Sequence, residues 1–298
     1  MNRQRVWGVV AVVLSAVGFG VMPIFARTAY ADGTDVIALL FLRFLFGAVI
    51  MTGLMLAMRG TWPARKSVVV LFLMGGVGYV AQSFSFFTAL QHASAGLVAL
   101  LLYLYPILVA IVGAVVFGEP LGRKRLGLVL MAFTGTALTV WGALDGEPIG
   151  IVLGALSAVL YCAYILAGSR VLRNENPYAC GAVVMISAAG VFGALVGMTG
   201  PSFPQTAAGW SSVVAIALVS TVMAMIGFFI GVRALGASDA STLSTLEPVV
   251  TIVAAMVFLN ESLTMMQLVG GAVILVAVVL LTRIGASTAR RVPARPET

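Results

Sequence analysis

The chain has 298 residues, 61% of them apolar and only 9% charged, against roughly 45–50% and 25% in soluble proteins. Its 17 basic and 10 acidic side chains could not cover a water-soluble surface of this size, and a disordered chain would need the opposite composition. The sequence therefore reads as an integral membrane protein, and its net charge of +7 speaks to orientation and anionic lipid rather than to nucleic acid.

Apolar runs of about 20 residues, enough helix to cross a hydrocarbon core about 30 Å thick, recur along the whole chain without the alternation of barrel strands. In chain order they predict ten transmembrane helices: Val6–Arg27, Val36–Met58, Ser67–Leu90, Ala95–Phe117, Leu126–Ala143, Ile149–Gly168, Tyr178–Thr199, Gly209–Ala234, Ala237–Leu259 and Met265–Arg283. Turn-forming residues separate them at Gly60-Thr61-Trp62-Pro63, Asp145-Gly146-Glu147-Pro148, Asn174-Glu175-Asn176-Pro177 and Gly200-Pro201.

Ten crossings put both termini on one side. Fifteen of the 17 basic residues fall on that side, Arg27 alone lies on the other, and Arg43 lies inside a span. The positive-inside rule then predicts a multi-pass protein of the plasma (inner) membrane with both termini cytoplasmic. Arg3 and Arg5 before an apolar run, with Ala29-Tyr30-Ala31 after it, imitate a signal peptide. The run is longer than the 7–15 residues of such a segment, so it is expected to remain as the first span.

Little here suggests chemistry on a substrate. The two cysteines, Cys162 and Cys180, sit in apolar runs and suggest neither a disulfide scaffold nor a metal site. With His92 as the one histidine there is no HExxH motif, and neither Lys66 nor Lys124 closes a phosphate loop. No cofactor or metal is expected. A membrane enzyme acting on lipid would need clustered ligands or acids at an interface, and ten scattered acids do not supply them.

Shifting the chain by 142 residues aligns its halves. Gly8 meets Gly150, Leu14-Ser15-Ala16-Val17 meets Leu156-Ser157-Ala158-Val159, Pro106 meets Pro248, Glu119 meets Glu261 and Leu121 meets Leu263. The expected organisation is residues 1–143 and 144–284 as two five-helix repeats, with 285–298 as a basic cytoplasmic tail. Five is odd, so the second repeat must be inverted, the arrangement of secondary transporters that bind substrate between repeats near the midplane.

Leu42-Arg43-Phe44 in the second span, the stretch from Pro106 to Phe117-Gly118-Glu119-Pro120-Leu121, and Leu246-Glu247-Pro248 to Leu259-Asn260-Glu261-Ser262-Leu263 resemble an EamA domain. The resemblance covers nearly the whole chain and identifies it with tandem-domain members of the drug/metabolite transporter superfamily. It departs at Asn260, where a glycine usually precedes the glutamate, and in a two-residue length difference before the repeated proline. It implies a carrier, often an exporter of amino acids or other small metabolites, working by alternating access. Proton-coupled efflux of cationic compounds is the alternative.

An ionisable group at mid-membrane is costly, about 2.5–3.5 kcal/mol on insertion scales, and so marks function. Glu247, near the middle of the ninth span, is the first candidate: it can carry a proton or exchange it against a cation, or else fix helix contacts through a partner. Pro248 after it cannot donate its backbone bond and weakens the helix, as does Pro106. Arg43 can hold a substrate carboxylate or pair with Glu247, or instead snorkel to the interface or bind backbone carbonyls. Tyr105 takes the place of Glu247 in the first repeat.

Ser15, Phe19 and Met22 share one helix face, as do their counterparts Ser157, Tyr161 and Tyr164, and Tyr79, Gln82 and Phe86 follow a similar spacing. Together they are expected to line a largely aromatic cavity, although tyrosines and glutamine also serve as interhelical contacts. Glu119 and Glu261, one in a loop on each face, are read as interfacial charges at helix ends or as gates. His92 is read as solvated. Three GxxxG spacings occur among 33 glycines, too many for the motif to indicate dimers, so the oligomeric state stays open. The expected partners are a small-molecule substrate, protons and membrane lipid.

Overall fold

The computed structural model describes residues 3–117, 122–141, 147–171 and 175–289, and no strand occurs among them. The helices are α1 (Arg3–Gly20), α2 (Met22–Ala31), α3 (Val36–Ala57), α4 (Arg65–Leu73), α5 (Val80–His92), α6 (Ala95–Leu102), α7 (Tyr105–Phe117) and α8 (Arg123–Trp141). They continue as α9 (Pro148–Val171), α10 (Pro177–Thr199), α11 (Ala207–Ala217), α12 (Ala224–Leu235), α13 (Ala237–Ser244), α14 (Leu246–Phe258) and α15 (Met265–Ala289). Two π-helical segments, Met74–Tyr79 and Leu218–Met223, join α4 to α5 and α11 to α12.

Among the described residues seven stretches are long and apolar enough to cross a membrane: Gln4–Ala31, Val36–Ala57, Arg65–His92, Ala95–Val112, Pro148–Gly168, Pro177–Thr199 and Ala207–Leu235. Three shorter apolar helices, Leu126–Thr139, Leu246–Phe258 and Met265–Leu280, occupy the remaining expected positions. Turn residues set several ends. Asp35 accepts from the Ile37 amide at 2.7 Å to start α3, Asn176 accepts from the Tyr178 amide at 2.9 Å before Pro177 to start α10, and Gly200 closes α10 at φ +56.

Hydropathy did not reveal how these stretches are interrupted. The first expected span is two helices meeting at Val21, because Pro23 has no amide to continue the ladder. The fourth breaks at Tyr103 and Leu104, just before Pro106, and the ninth breaks at Thr245, before Pro248. The ninth also differs in character: α13 is a polar eight-residue helix containing Asp239, and the apolar part begins only with α14. The last helix runs on to Ala289, past the expected end at Arg283.

The helices of the two repeats interleave. Contacts join α3 to α10, α8 to α15, α1 to α12 and α5 to α9. The pairs run antiparallel. Along α3 and α10, Phe41 lies against Gly193, Gly47 against Met185 and Met51 against Gly181, and beyond the end of α3 Gly60 meets Asn176. Gly8 lies against Ala234 and Gly227 against Ala11, so α1 and α12 oppose each other likewise. The glycines of the 150–154 and 227–231 spacings thus serve contacts within the chain. A main core links Leu39, Leu40, Phe44, Phe87, Leu101, Ala158, Phe192, Val213 and Ile274 across both halves.

Connecting segments gather at two ends. At one, the Ala64 amide donates to Glu175 at 3.2 Å and Arg5 pairs with Asp239 at 3.1 Å. At the other, the Asp35 amide donates to Ser202 O, the Glu147 amide donates to His92 O, and Glu261 reaches the start of α6. His92 Nδ1 lies 2.6 Å from Glu147 Oε2, so the side chain expected to be merely solvated has an acidic partner.

Candidate functional site

The three helix breaks converge, and the orphaned backbone groups explain how. Pro248 lacks the amide that would serve Ser244 O, so that buried carbonyl needs another donor. Tyr103, itself in the break between α6 and α7, supplies it through its hydroxyl. In the first break Ile24 N turns to Val21 O, and Gly20 O is left to accept from Thr251 Oγ1 of α14 at 2.8 Å. A Cβ at Gly20 would stand 2.8 Å from Glu247 O and 2.7 Å from Val250 Cβ, so only glycine allows α1 to approach the first turn of α14 so closely.

Glu247 occupies that first turn, partly buried. Its carboxyl interacts electrostatically with Tyr103, Tyr105 and Tyr161, and Tyr103 is in hydrogen-bonding reach. From there the rings continue without interruption. Tyr103 and Tyr105 meet at 5.9 Å, Tyr105 and Tyr161 edge-to-face at 4.7 Å, Tyr161 and Tyr164 stack at 6.2 Å, and Tyr164 stacks on Tyr79 at 5.3 Å. Such offset and edge-to-face geometries are the favourable ones for aromatic pairs.

Arg43 ends the row, 3% exposed. Its Nε donates to Thr221 Oγ1 at 3.0 Å and its Nη2 to Tyr79 Oη at 3.2 Å, and its guanidinium lies 5.1 Å from the ring centres of both Phe44 and Phe87. It does not snorkel. Nor is it paired with Glu247: among the described residues neither makes an ion pair, and the tyrosine row lies between them. Both polar contacts of Arg43 come from the π-helical segments, Tyr79 closing one and Thr221 lying within the other. Such bulges turn side chains off the regular helical face and are frequent at functional sites.

Of the side chains expected to line one cavity, Glu247, Arg43, Tyr105, Tyr79, Tyr161 and Tyr164 thus form a continuous row. The serines do not join it. Ser15 Oγ donates to Ala224 O, just past the second π segment, at 2.6 Å, and Ser157 Oγ to Gly154 O in its own helix at 2.7 Å. Gln82 is buried beside Ser83, and Met22 and Phe19 are half-buried on the first span. Neighbouring rings of the row are in contact, with centroids 4.7–6.2 Å apart. A wholly apolar groove of about 320 Å³ lies between Val21 and α14.

Glu261 is held firmly. Its carboxylate accepts from the Ala95 amide at 3.0 Å and the Gly96 amide at 3.4 Å, and Arg27 lies 3.6 Å away. Glu119 lies outside the described residues. The sequence reading missed Tyr103 and Thr221. The orphan carbonyl that Pro248 creates was a usable signal for a buried donor, but nothing in an apolar run marks a π-helical register.

Two segments, residues 6–141 and 148–283, match the model of the EamA-like transporter family. The chain belongs to that family and is a membrane transporter built of two EamA repeats. An "Uncharacterized transporter" of Archaeoglobus fulgidus is 24% identical over 286 residues, 93% of this chain and 97% of that protein. "Uncharacterized transporter YcbK" of Bacillus subtilis is 27% identical over 292 residues, 90% of each. A solved crystal structure at 20% identity superposes with a TM-score of 0.67 over 96% of this chain and 99% of its own, a likeness of fold.

Proposed function

We propose that the chain is a secondary-active carrier of the plasma (inner) membrane, both termini cytoplasmic, that exports small metabolites such as amino acids by alternating access. Ten crossings in two inverted five-helix halves account for the gathering of loops at two ends and for the antiparallel contact of corresponding helices, α3 with α10 and α8 with α15. The observation that carries the reading is the tyrosine row running from Glu247, at the meeting of three broken helices, to Arg43 between the two π segments.

In this reading Arg43 receives a substrate carboxylate. Among the described residues its guanidinium donates to the hydroxyls of Thr221 and Tyr79, Ser220 beside Thr221 is a buried hydroxyl with no partner, and a planar fork suits an oxyanion. Glu247 carries the proton, or meets the substrate's amine. The rings part to admit the substrate and close behind it.

A second reading, proton-coupled efflux of cationic compounds, draws on the aromatic faces around Glu247, which would also attract a cation. Purified protein in vesicles, offered labelled amino acids and cationic drugs with and without a proton gradient, separates the two. The first reading expects gradient-dependent movement of an amino acid; movement of cations alone selects the second, and movement of neither contradicts both.

A further inference from the structure

In the ten-span reading of the sequence, Arg27 is the one loop-side basic residue on the side opposite the termini, against fifteen on the terminal side. The structure gives it a partner there. Its Nη2 lies 3.6 Å from Glu261 Oε1, and its Nη1 donates to Leu90 O, near the end of α5, at 2.7 Å. Glu261 in turn caps α6 through the Ala95 and Gly96 amides, with a side chain only 10% exposed. Arg27, Leu90 and α6 belong to the first repeat and Glu261 to the second, so one carboxylate ties the two repeats together at this end.

The segment around Glu261 is built to present it. Asn260 takes φ +54, a left-handed conformation that asparagine tolerates better than most residues and glycine best of all. That accounts for the glycine usual at this place in the resembled family. The Glu261 amide then bonds back to Ala255 O at 3.2 Å. Beside the cap, a Cβ at Gly96 would stand 3.4 Å from Leu263 Cδ2 and 3.5 Å from Ile252 Cγ1, so two apolar side chains of the second repeat close directly over the start of α6.

We propose that Glu261, the α6 amides it caps, Arg27 and the Leu263–Ile252 contact over Gly96 form the gate of the carrier at the end opposite the termini, held shut in this conformation. The inference rests on the transporter reading only for its purpose; the latch itself is a contact between repeats. A carboxylate accepting two amide hydrogens at a helix N-terminus is favoured by charge-assisted bonding and by the helix dipole, and Arg27 compensates its charge. Opening this end must exchange all of these for water. The latch therefore biases the gate toward closure without sealing it permanently.

The test needs no substrate. In a background with Cys162 and Cys180 replaced by serine, a cysteine is placed at Val98, fully buried on α6 beneath the cap. A membrane-impermeant maleimide is then added from the side opposite the termini. With the latch intact labelling is slow; in Glu261→Ala it is expected to rise about tenfold, the loss of one charge-assisted contact, and separately in Gly96→Val, whose branched methyl groups push against Leu263 and Ile252, it is expected to rise as well. The charge swap Arg27→Glu with Glu261→Arg should label as fast as Glu261→Ala, since arginine cannot accept the amide hydrogens. Unchanged labelling in the variants that elute and melt as folded protein, an equal rise in the same-end control Glu147→Ala, or closure restored by the swap would each overturn the proposal. Because labelling is independent of transport, a latch that behaves as stated in a protein moving no amino acid or drug would fault the substrate reading and not the gate.

Discussion

Ser244 O has lost its helical donor to Pro248 and is served by a tyrosine 141 positions away. Tyr103→Phe removes that hydroxyl and leaves a buried carbonyl unpaired, which costs about 1–3 kcal/mol. Thermal unfolding in detergent should show a lowered Tm; an unchanged Tm would mean that the break does not depend on Tyr103. Arg43 presents the opposite balance. A buried guanidinium without an acid is expensive to keep, and an apolar replacement of similar size is often neutral or stabilising. Arg43→Met is therefore expected to melt no lower than the parent while losing transport of carboxylate substrates. A marked fall in stability would assign Arg43 to folding instead.

A third residue acts outside the membrane spans. Thr206, through its hydroxyl, and the amides of Gln205 and Thr206 hold the Asp32 carboxyl below the usual carboxylate range. A lowered pKa stabilises the fold above the usual value and stops doing so as pH falls through the lowered one, so the contribution is present at neutral pH and lost below about pH 4. Protection of the amides of residues 205–209 from hydrogen exchange, taken relative to the intrinsic rate at each pH, should be high at pH 7 and lost at pH 3, and Asp32→Asn should already be less protected at pH 7. Equal protection in the variant at pH 7 would contradict the role.

Among the elements, close contacts between α1 and α12 decide how the repeats meet. A Cβ at Gly227 would stand 2.8 Å from Ala11 O and 3.3 Å from Ser15 Cβ, and backbone on one side cannot give way. Gly227→Val is expected to destabilise by about 1–3 kcal/mol, read from thermal unfolding, whereas the same change at Gly197, with open space around it, should be nearly silent. Equal effects at both would place the α1–α12 contact elsewhere. Hydropathy located seven stretches of membrane-spanning length, because crossing a membrane demands length above all, but it took the polar α13 into the ninth span. It could not reveal the interior breaks or the π-helical turns. The prolines pointed to where a break belongs, at Pro106 and Pro248, but Leu218–Met223 carries neither proline nor glycine, and it packs against α1, where Ser15 donates to Ala224 O.

For the molecule as a whole, the repeat legible in Leu14–Val17 and Leu156–Val159 becomes a set of antiparallel pairings between the halves. The site was legible in part for the same reason. An acid before a proline in an apolar helix is conspicuous, and so are tyrosines at helical spacing, whereas Tyr103 and Thr221 gain meaning only once distant helices meet. The central claim is that Glu247, where three broken helices converge, couples transport to protons. Vesicles carrying wild-type protein or Glu247→Gln, assayed for substrate efflux across pH 5–9 with an imposed proton gradient (about the span in which a buried carboxyl can titrate), test it most directly. The account predicts a gradient-dependent wild-type rate and a folded variant whose residual rate ignores the gradient; a variant that responds to the gradient as the wild type does would contradict it.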